Sequence, residues 1–167
     1  MADLGTGSGA ILVGFLYYCR DAVGVGVDIS TEALKIAEEN GQNLKITDRV
    51  EWRQGDYLKA FDEEDIFDGI FSNPPYIPTK DIGGLSREVK HEPRLALDGG
   101  TDGLYFYHLL AKGAAEHLKP GGFLAVEFGI GQATDILEIF RKSAQYEDFE
   151  VIKDYGGIER ALYCRKK

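Results

Sequence analysis

The segment Asp3–Ile11, "DLGTGSGAI", carries the strongest structural signal of the sequence. Gly5, Gly7 and Gly9 stand between a short strand-like segment and the apolar helical run Ala10–Tyr18. Glycines at such a junction allow a tight turn and a close approach of the backbone to a ligand, and the start of the helix offers free N–H groups. The pattern predicts a strand, a loop and a helix around a small-molecule site, with an ordinary strand-to-helix turn as the plain structural alternative.

Downstream of this stretch, strand-like runs alternate with helical patterns. The expected strands are Val23–Asp28, Val50–Arg53, Phe67–Ser72 and Phe123–Phe128. The expected helices are Thr31–Asn40 with Ser30 as its N-cap, Gly103–Leu118 stopped by "KPGG" at Lys119–Gly122, and Ala133–Ser143.

The C-terminal end breaks this alternation. Two strand-like runs, Phe149–Lys153 and Arg160–Arg165, are joined through the turn "DYGGIE" with no helix between them. The pattern predicts an α/β fold with a doubly wound, mostly parallel sheet and an antiparallel C-terminal edge strand. Its first strand is short, Ala2–Leu4 at most, and a ligand site is expected at the carboxyl ends of the central strands.

Bulk composition limits the classes of function. The 167 residues suit one domain, and a net charge of −9 disfavours a nucleic-acid partner while it tolerates a basic protein partner. No apolar run reaches the roughly 20 residues of a membrane span, and no signal peptide is evident, so we expect an intracellular protein with no membrane partner. Cys19 and Cys164 lie far apart without a histidine cluster, so no metal site is indicated.

Asp28 ends the second expected strand, 19 residues after Gly9. A carboxylate there can accept hydrogen bonds from both hydroxyls of a ribose. A dinucleotide remains equally possible at this point, because Gly5, Gly7 and Ala10 also satisfy the G-x-G-x-x-G/A fingerprint.

The segment "QGDYL", residues 54–58, follows the third expected strand. Asp56 could accept a hydrogen bond from the exocyclic amino group of adenine, and Tyr57 could lie against the ring. The alternative is a polar loop with a half-buried tyrosine.

The segment "NPPY", Asn73–Tyr76, follows the fourth expected strand. Proline restricts both its own φ and the residue before it, so the side-chain carbonyl of Asn73 and the backbone carbonyl of Pro74 would be presented rigidly. Two rigid acceptors suit a group with two N–H hydrogens. The alternative is a strand end followed by a polyproline turn.

Together these segments resemble one family, the HemK-type protein-glutamine N(5)-methyltransferases that modify peptide chain release factors. The resemblance extends over nearly the whole chain through "DLGTGSGAI", "VDIS", "GD", "SNPPYIP", "EPRLALDGGTDGL", "LKPGG", "EFGIGQ" and "DYGGIER", which occur in the order typical of the family. "NPPY" also occurs in amino-methyltransferases that act on adenine or cytosine, whereas the run Glu92–Leu104 is more particular.

The resemblance implies a Rossmann-like, seven-stranded methyltransferase sheet and S-adenosylmethionine as the cofactor. It assigns the methionine part of the cofactor to Gly5, Thr6, Gly7, Ser8 and Gly9, the ribose to Asp28, the adenine to Tyr57, and the substrate amide to Asn73, Pro74, Pro75 and Tyr76. The expected contact of Asp56 with adenine follows from its position after the third strand and not from the resemblance. Asn73 is expected to contact both cofactor and substrate.

The resemblance also implies that residues 1–167 are the catalytic domain alone, because in the family a longer first strand and a helical substrate-binding domain come before it. Three readings stay open: a cytoplasmic glutamine methyltransferase acting on a release factor, an amino-methyltransferase of nucleic acid, and a truncated chain that binds weakly and catalyses nothing.

Overall fold

The computed structural model describes residues 1–86 and 93–167. Its helices are α1 (Ala10–Tyr18), α2 (Thr31–Asn43), α3 (Arg94–Leu97), α4 (Tyr105–Gly113) and α5 (Ala133–Ser143). Its strands are β1 (Ala2–Leu4), β2 (Gly24–Asp28), β3 (Val50–Gln54), β4 (Phe67–Ser72), β5 (Leu118–Glu127), β6 (Tyr146–Lys153) and β7 (Glu159–Lys166). The beginning of the Glu92–Leu104 run lies outside the described residues.

Within the described residues, seven strands form one sheet in the order β3-β2-β1-β4-β5-β7-β6. The first five strands pair in parallel, and β7 is antiparallel to both β5 and β6. The predicted fold class is confirmed, including the short first strand. The antiparallel C-terminal strand lies one position inside the sheet, because the chain turns back from edge strand β6 into the place beside β5.

The helices cover both faces of the sheet with apolar side chains. The larger core joins β1, β4, β5 and β7 to α4 and α5, and a smaller one surrounds Leu12, Val13, Leu16 and Ile46. Helix α2 begins at the expected N-cap, because Ser30 Oγ accepts from the N–H of Ala33 at 3.2 Å. This packing fixes the carboxyl ends of the parallel strands at one edge of the sheet.

The predicted Gly103–Leu118 helix is wrong at both of its ends. Helix α4 starts at Tyr105, since Gly103 has a φ of 80°, and a 3-10 turn at Ala114–His117 ends the helical segment. The "KPGG" at Lys119–Gly122 lies inside β5 rather than before it. There the register with β4 shifts from Phe67↔Leu118 to Gly69↔Phe123, so the turn sequence forms a bulge within one strand.

Strand β1 is short but paired on both sides. Ala2 and Leu4 are opposite Val25 and Val27 of β2 and, on the other edge, Ile70 and Ser72 of β4.

In the part of the chain that the structure describes, no helix has the length and apolar character needed to cross a membrane.

Candidate active site

The candidate site lies at the carboxyl ends of β1 and β4, which are neighbours in the sheet. The chain continues from β1 to β2 on one side, whereas β4 pairs with the opposite edge of β1. Ligands of doubly wound sheets bind where the strand order reverses in this way. Ser72 Oγ donates to the carbonyl of Leu4 at 2.8 Å and ties the two strand ends together.

The glycine loop after β1 is held to β2 by its backbone. The N–H groups of Gly5 and Thr6 both donate to the carbonyl of Val27 at 2.9 Å. Gly5, Gly7 and Gly9 have φ angles of 71°, 55° and 77°, a left-handed conformation that glycine adopts without steric cost. The predicted tight turn is therefore present.

Trp52 of β3 packs beneath this loop and is the only tryptophan of the sequence. A Cβ atom on Gly9 would lie 3.0 Å from Trp52 Cη2, and one on Gly26 would lie 2.3 Å from Cζ3. Ser8 is exposed, and its carbonyl accepts from Asn40 Nδ2 of α2 at 2.9 Å. The loop is thus supported by β2, β3 and α2 together.

Asp28 joins the glycine loop to the start of α2. Its Oδ2 accepts from the N–H of Gly7 at 2.8 Å, and its Oδ1 accepts from the N–H of Ser30 at 2.9 Å. Each carboxylate oxygen has a second lone pair. The side chain can therefore still accept hydrogen bonds from two ligand hydroxyls, as a ribose contact requires.

Asp3 is a buried carboxyl group under the loop that the sequence analysis did not single out. It is 1% exposed; Thr6 Oγ1 donates to Oδ2 at 2.7 Å, and Oδ1 has no hydrogen-bond partner among the described residues. Burial raises the pKa of Asp3 to about 6, although hydrogen bonding from Thr6 and from the backbone N–H of Leu12 opposes this shift. The signal available in the sequence was an acidic residue two positions before Gly5, the first glycine of the loop.

The two residues of "DY" after β3 take different positions. Tyr57 has a φ of 51° and packs against Phe106, with 4.6 Å between ring centroids and a tilt of 31° between the rings. Its hydroxyl would lie 2.8 Å from a Cβ on Gly5. Burial raises the pKa of Tyr57. Asp56 lies at the surface, where its carboxylate pairs with Lys59 Nζ at 2.5 Å. Tyr57 thus forms a wall of the site, and Asp56 lies at its rim.

The segment after β4 combines an exposed amide with buried prolines. Asn73 is exposed, Pro74 and Pro75 are buried, and Tyr76 is half-buried. The prolines anchor the backbone in the core, and the Asn73 side chain is accessible to a ligand. The structure therefore brings the glycine loop and this segment, 68 residues apart at Leu4 and Ser72, to adjacent strand ends.

The end of β5 lies next to this segment. Ser72 pairs with Val126, so Glu127 follows on β5 as Asn73 follows on β4. Burial raises the pKa of Glu127, and the charge of Arg160 opposes this shift. Glu127 and Gln132 both belong to "EFGIGQ", a segment for whose residues the sequence suggested no individual role.

The chain matches the family described as "Methyltransferase domain" over residues 1–127. A protein of Moorella thermoacetica named release factor glutamine methyltransferase is 42% identical over 167 residues, which are 100% of this chain and 59% of that protein. One of Bradyrhizobium diazoefficiens with the same name is 47% identical over 167 residues, 99% of this chain and 56% of that protein. The chain thus spans a little over half the length of these relatives.

Solved structures show the same architecture. A methyltransferase from Pyrococcus furiosus superimposes with a TM-score of 0.73 at 24% sequence identity, over 99% of this chain and 73% of that one. This likeness supports the fold, independently of the sequence motifs.

Proposed function

Because the chain belongs to the methyltransferase domain family, we propose that it transfers a methyl group from S-adenosylmethionine to the side-chain amide nitrogen of a glutamine in a peptide chain release factor. The relatives named release factor glutamine methyltransferase support this substrate. The single observation that carries the proposal is the contact between the end of β1, with its glycine loop, and the end of β4, with its Asn-Pro-Pro-Tyr segment.

The residues present fit S-adenosylmethionine. The Asp28 carboxylate keeps free lone pairs for two ribose hydroxyls, and the unpartnered Oδ1 of Asp3 adds negative character below the loop, which suits a cationic ligand. Gly5–Gly9 would hold the methionine part, Tyr57 would contact the adenine, and Asp56 would accept from its amino group at the rim. Bound there, S-adenosylmethionine supplies an electrophilic methyl group on a sulfonium.

Asn73 and Pro74 would bind the substrate amide. An amide nitrogen is a weak nucleophile, because its lone pair is delocalised into the carbonyl group. The Asn73 side-chain carbonyl and the Pro74 backbone carbonyl would each accept one N–H, which favours a pyramidal nitrogen whose lone pair is directed at the methyl group. Tyr76 would stack on the planar amide, with Pro75 fixing its direction.

The rate would come mainly from orientation and from hydrogen bonds that strengthen in the transition state. Of the two N–H protons held by Asn73 and Pro74, one leaves to solvent after the N–C bond forms, so no strong base is required. The nitrogen gains the methyl group as the S–CH3 bond breaks, and its positive charge is lost with that proton.

A protein substrate suits the charge of the molecule better than a nucleic acid. With 28 acidic and 19 basic residues, the chain repels a phosphate backbone, and a base in a duplex must also be flipped out at a cost of a few kcal/mol. A glutamine in an exposed loop of a basic protein meets neither obstacle.

The deciding assay offers methyl-labelled S-adenosylmethionine to the chain with a release factor and, separately, with single- and double-stranded DNA and RNA. We expect label on a release-factor glutamine and none on the nucleic acids. Calorimetry in parallel should detect S-adenosylmethionine binding in preference to NAD. Label on nucleic acid alone, or no label on the release factor while the cofactor is bound, would contradict the proposal.

Asn73→Ala tests the proposed chemistry within the site. Removal of the side-chain acceptor should lower kcat by about 10- to 1000-fold and change cofactor affinity much less, because the contact acts on the transition state. Asn43→Ala, at an exposed position of α2, is the matched control and should keep the activity of the natural sequence. If Asn73 has only a structural role, the Asn73→Ala substitution should instead lower the melting temperature and leave the kcat of the folded fraction unchanged.

A further inference from the structure

Gln132 lies between the end of β5 and the start of α5 and uses both ends of its side-chain amide. Oε1 accepts from the N–H of Gly129 at 2.8 Å. Nε2 donates to the backbone carbonyl of Tyr76 at 3.0 Å and to that of Gly103 at 3.4 Å. One half-buried side chain therefore connects the turn after β5, the segment after β4 and the loop before α4.

Tyr76 is held from a second side by the same turn. A Cβ atom on Gly129 would lie 3.0 Å from Tyr76 Cδ2 and 3.4 Å from Cε2, so the tyrosine ring is packed directly against the glycine backbone. Gln132 fixes the carbonyl of Tyr76 while Gly129 contacts its ring. The hydrogen bond between Gly129 and Gln132 keeps these two contacts in one geometry.

The chain after Tyr76 continues this support. The N–H of Ile77 donates to the carbonyl of Leu97 at 3.1 Å, and the N–H of Gly99 donates to the carbonyl of Ile77 at 2.9 Å. The N–H of Thr79 donates to the carbonyl of Gly100 at 2.9 Å. This short ladder runs into the loop that contains Gly103, the other acceptor of Gln132.

From these contacts we propose that Gln132 is a positioning residue for methyl transfer, which rests on the function proposed above. It holds the backbone at Tyr76, and through Tyr76 it sets where the Asn73 and Pro74 carbonyls point. Alignment of reacting groups contributes much of the rate in such a reaction, and a displacement of about 1 Å can cost about 100-fold.

The chemistry of the side chain explains why glutamine stands here. The site needs an acceptor for Gly129 and, on the same group, a donor with two hydrogens for the carbonyls of Tyr76 and Gly103. Only a carboxamide provides both, whereas a glutamate of the same shape would set a second oxygen against two carbonyl oxygens. Gln132→Glu therefore keeps the size of the side chain and replaces the hydrogen bond to the Tyr76 carbonyl with repulsion between two oxygens.

The chain offers a matched control in Gln145. Its Nε2 donates to the carbonyls of Ala111 and Lys112 at 3.1 and 3.0 Å, at the end of α4 and away from the strand ends of the site. Gln145→Glu makes the same chemical change to a half-buried glutamine with two carbonyl partners. The general cost of the substitution can thus be separated from its effect on the site.

The experiment compares the two variants by amide hydrogen exchange, S-adenosylmethionine affinity and methylation kinetics. In Gln132→Glu we expect the amides of Ile77 and Thr79 to exchange at least tenfold faster, kcat to fall about 10- to 100-fold, and cofactor affinity to stay within about threefold. In Gln145→Glu all three should stay close to the values of the natural sequence, even where both variants lose similar thermal stability.

Equal exchange at Ile77 and Thr79 in the two variants would overturn the proposal, whatever happens to kcat, since a loss of rate without loosening would mean a direct contact with the substrate. Equal kcat in the two variants would overturn it as well. If the natural sequence methylates no release factor, the proposed function fails, and the exchange comparison still decides whether Gln132 holds the segment.

Discussion

The buried carboxyl group of Asp3 couples the stability of the fold to pH. Its folded pKa of about 6 lies above the ordinary value of 3.8, so the folded state favours the protonated form. As pH rises from about 4 to about 6, the unfolded chain releases this proton first, and the free energy of unfolding falls. Two pKa units correspond to about 3 kcal/mol, present at low pH and lost above pH 6.

Asp3→Asn should remove this dependence. Relative to the natural sequence without ligand, the free energy of unfolding of the variant should increase by about 3 kcal/mol between pH 4 and pH 7.5, because a neutral amide carries no ionisation penalty. Urea denaturation across this range measures the difference. A constant difference between the two proteins would show that Asp3 ionises in the folded state as easily as in the unfolded chain.

Asp68→Asn is a control, because the pKa of Asp68 is shifted in the opposite direction from that of Asp3. The hydrogen bond from Lys119 lowers the pKa of Asp68, an exposed side chain at the other end of the sheet. Its contribution to stability is fully present above the ordinary pKa of 3.8 and is lost as the pH falls below that value. The difference in free energy of unfolding between Asp68→Asn and the natural sequence should therefore stay nearly constant above about pH 5 and shrink only on further acidification.

The positions of residues in the candidate site were predictable where those positions depend on neighbours in the sequence. The glycine loop, Asp28 and Asn73 stand beside strand ends, and local patterns identify strand ends. The hydrogen bond of Gln132 reaches Tyr76, 56 positions earlier, and only the pairing of β4 with β5 makes that contact possible. No local pattern carries such information.

Among the helices and strands, the local sequence signal predicts the bounds of α1 correctly and those of β5 incorrectly. Helix α1 has its predicted bounds, because the glycines before it and the apolar run within it act locally. The "KPGG" sequence is a turn signal, but it lies within β5, which pairs with β4 on both sides of it and accommodates it as a bulge. Lys166 Nζ and Arg165 Nε also bind the carbonyls of Leu118 and Gly121 at 2.7 and 2.9 Å.

Two glycines in neighbouring elements should respond oppositely to alanine. A Cβ on Gly14 of α1 meets no atom within 4 Å, so Gly14→Ala should stabilise the fold by about 0.5–1 kcal/mol through helix propensity. A Cβ on Gly26 of β2 would lie 2.3 and 2.5 Å from Trp52 Cζ3 and Cε3, so Gly26→Ala should destabilise it by about 1–3 kcal/mol.

Urea denaturation of the two alanine variants at one pH gives both numbers. Similar effects for Gly14→Ala and Gly26→Ala would mean that the indole ring moves without cost, contrary to the packing of the smaller core around it.

The net charge of −9 is a property of the molecule as a whole, and it would influence the encounter with any charged partner. Charges more than about 10 Å apart are largely screened at 0.1 M salt, so this charge acts mainly on the encounter and its rate. It assists a basic protein and hinders a polyanion, whatever the geometry of the site.

Methylation of a basic protein substrate should therefore depend on ionic strength. Between about 50 and 300 mM NaCl, kcat/KM should fall about 3- to 10-fold, mainly through KM, because screening weakens the long-range attraction. A short uncharged glutamine peptide, assayed at the same salt concentrations, is the control and should show little change. Rising or constant kcat/KM for the protein substrate would mean that the surface charge plays no part in the encounter.

The position of Trp52 gives the molecule a built-in optical reporter. Its indole is the only one in the chain and packs against the backbone at Gly9 and Gly26, directly beneath the loop that begins the site. Fluorescence from this single ring reports on the loop and on the smaller core that packs beneath it. Ligand binding at the loop can therefore be followed by intrinsic emission, on the unmodified protein and without an attached dye.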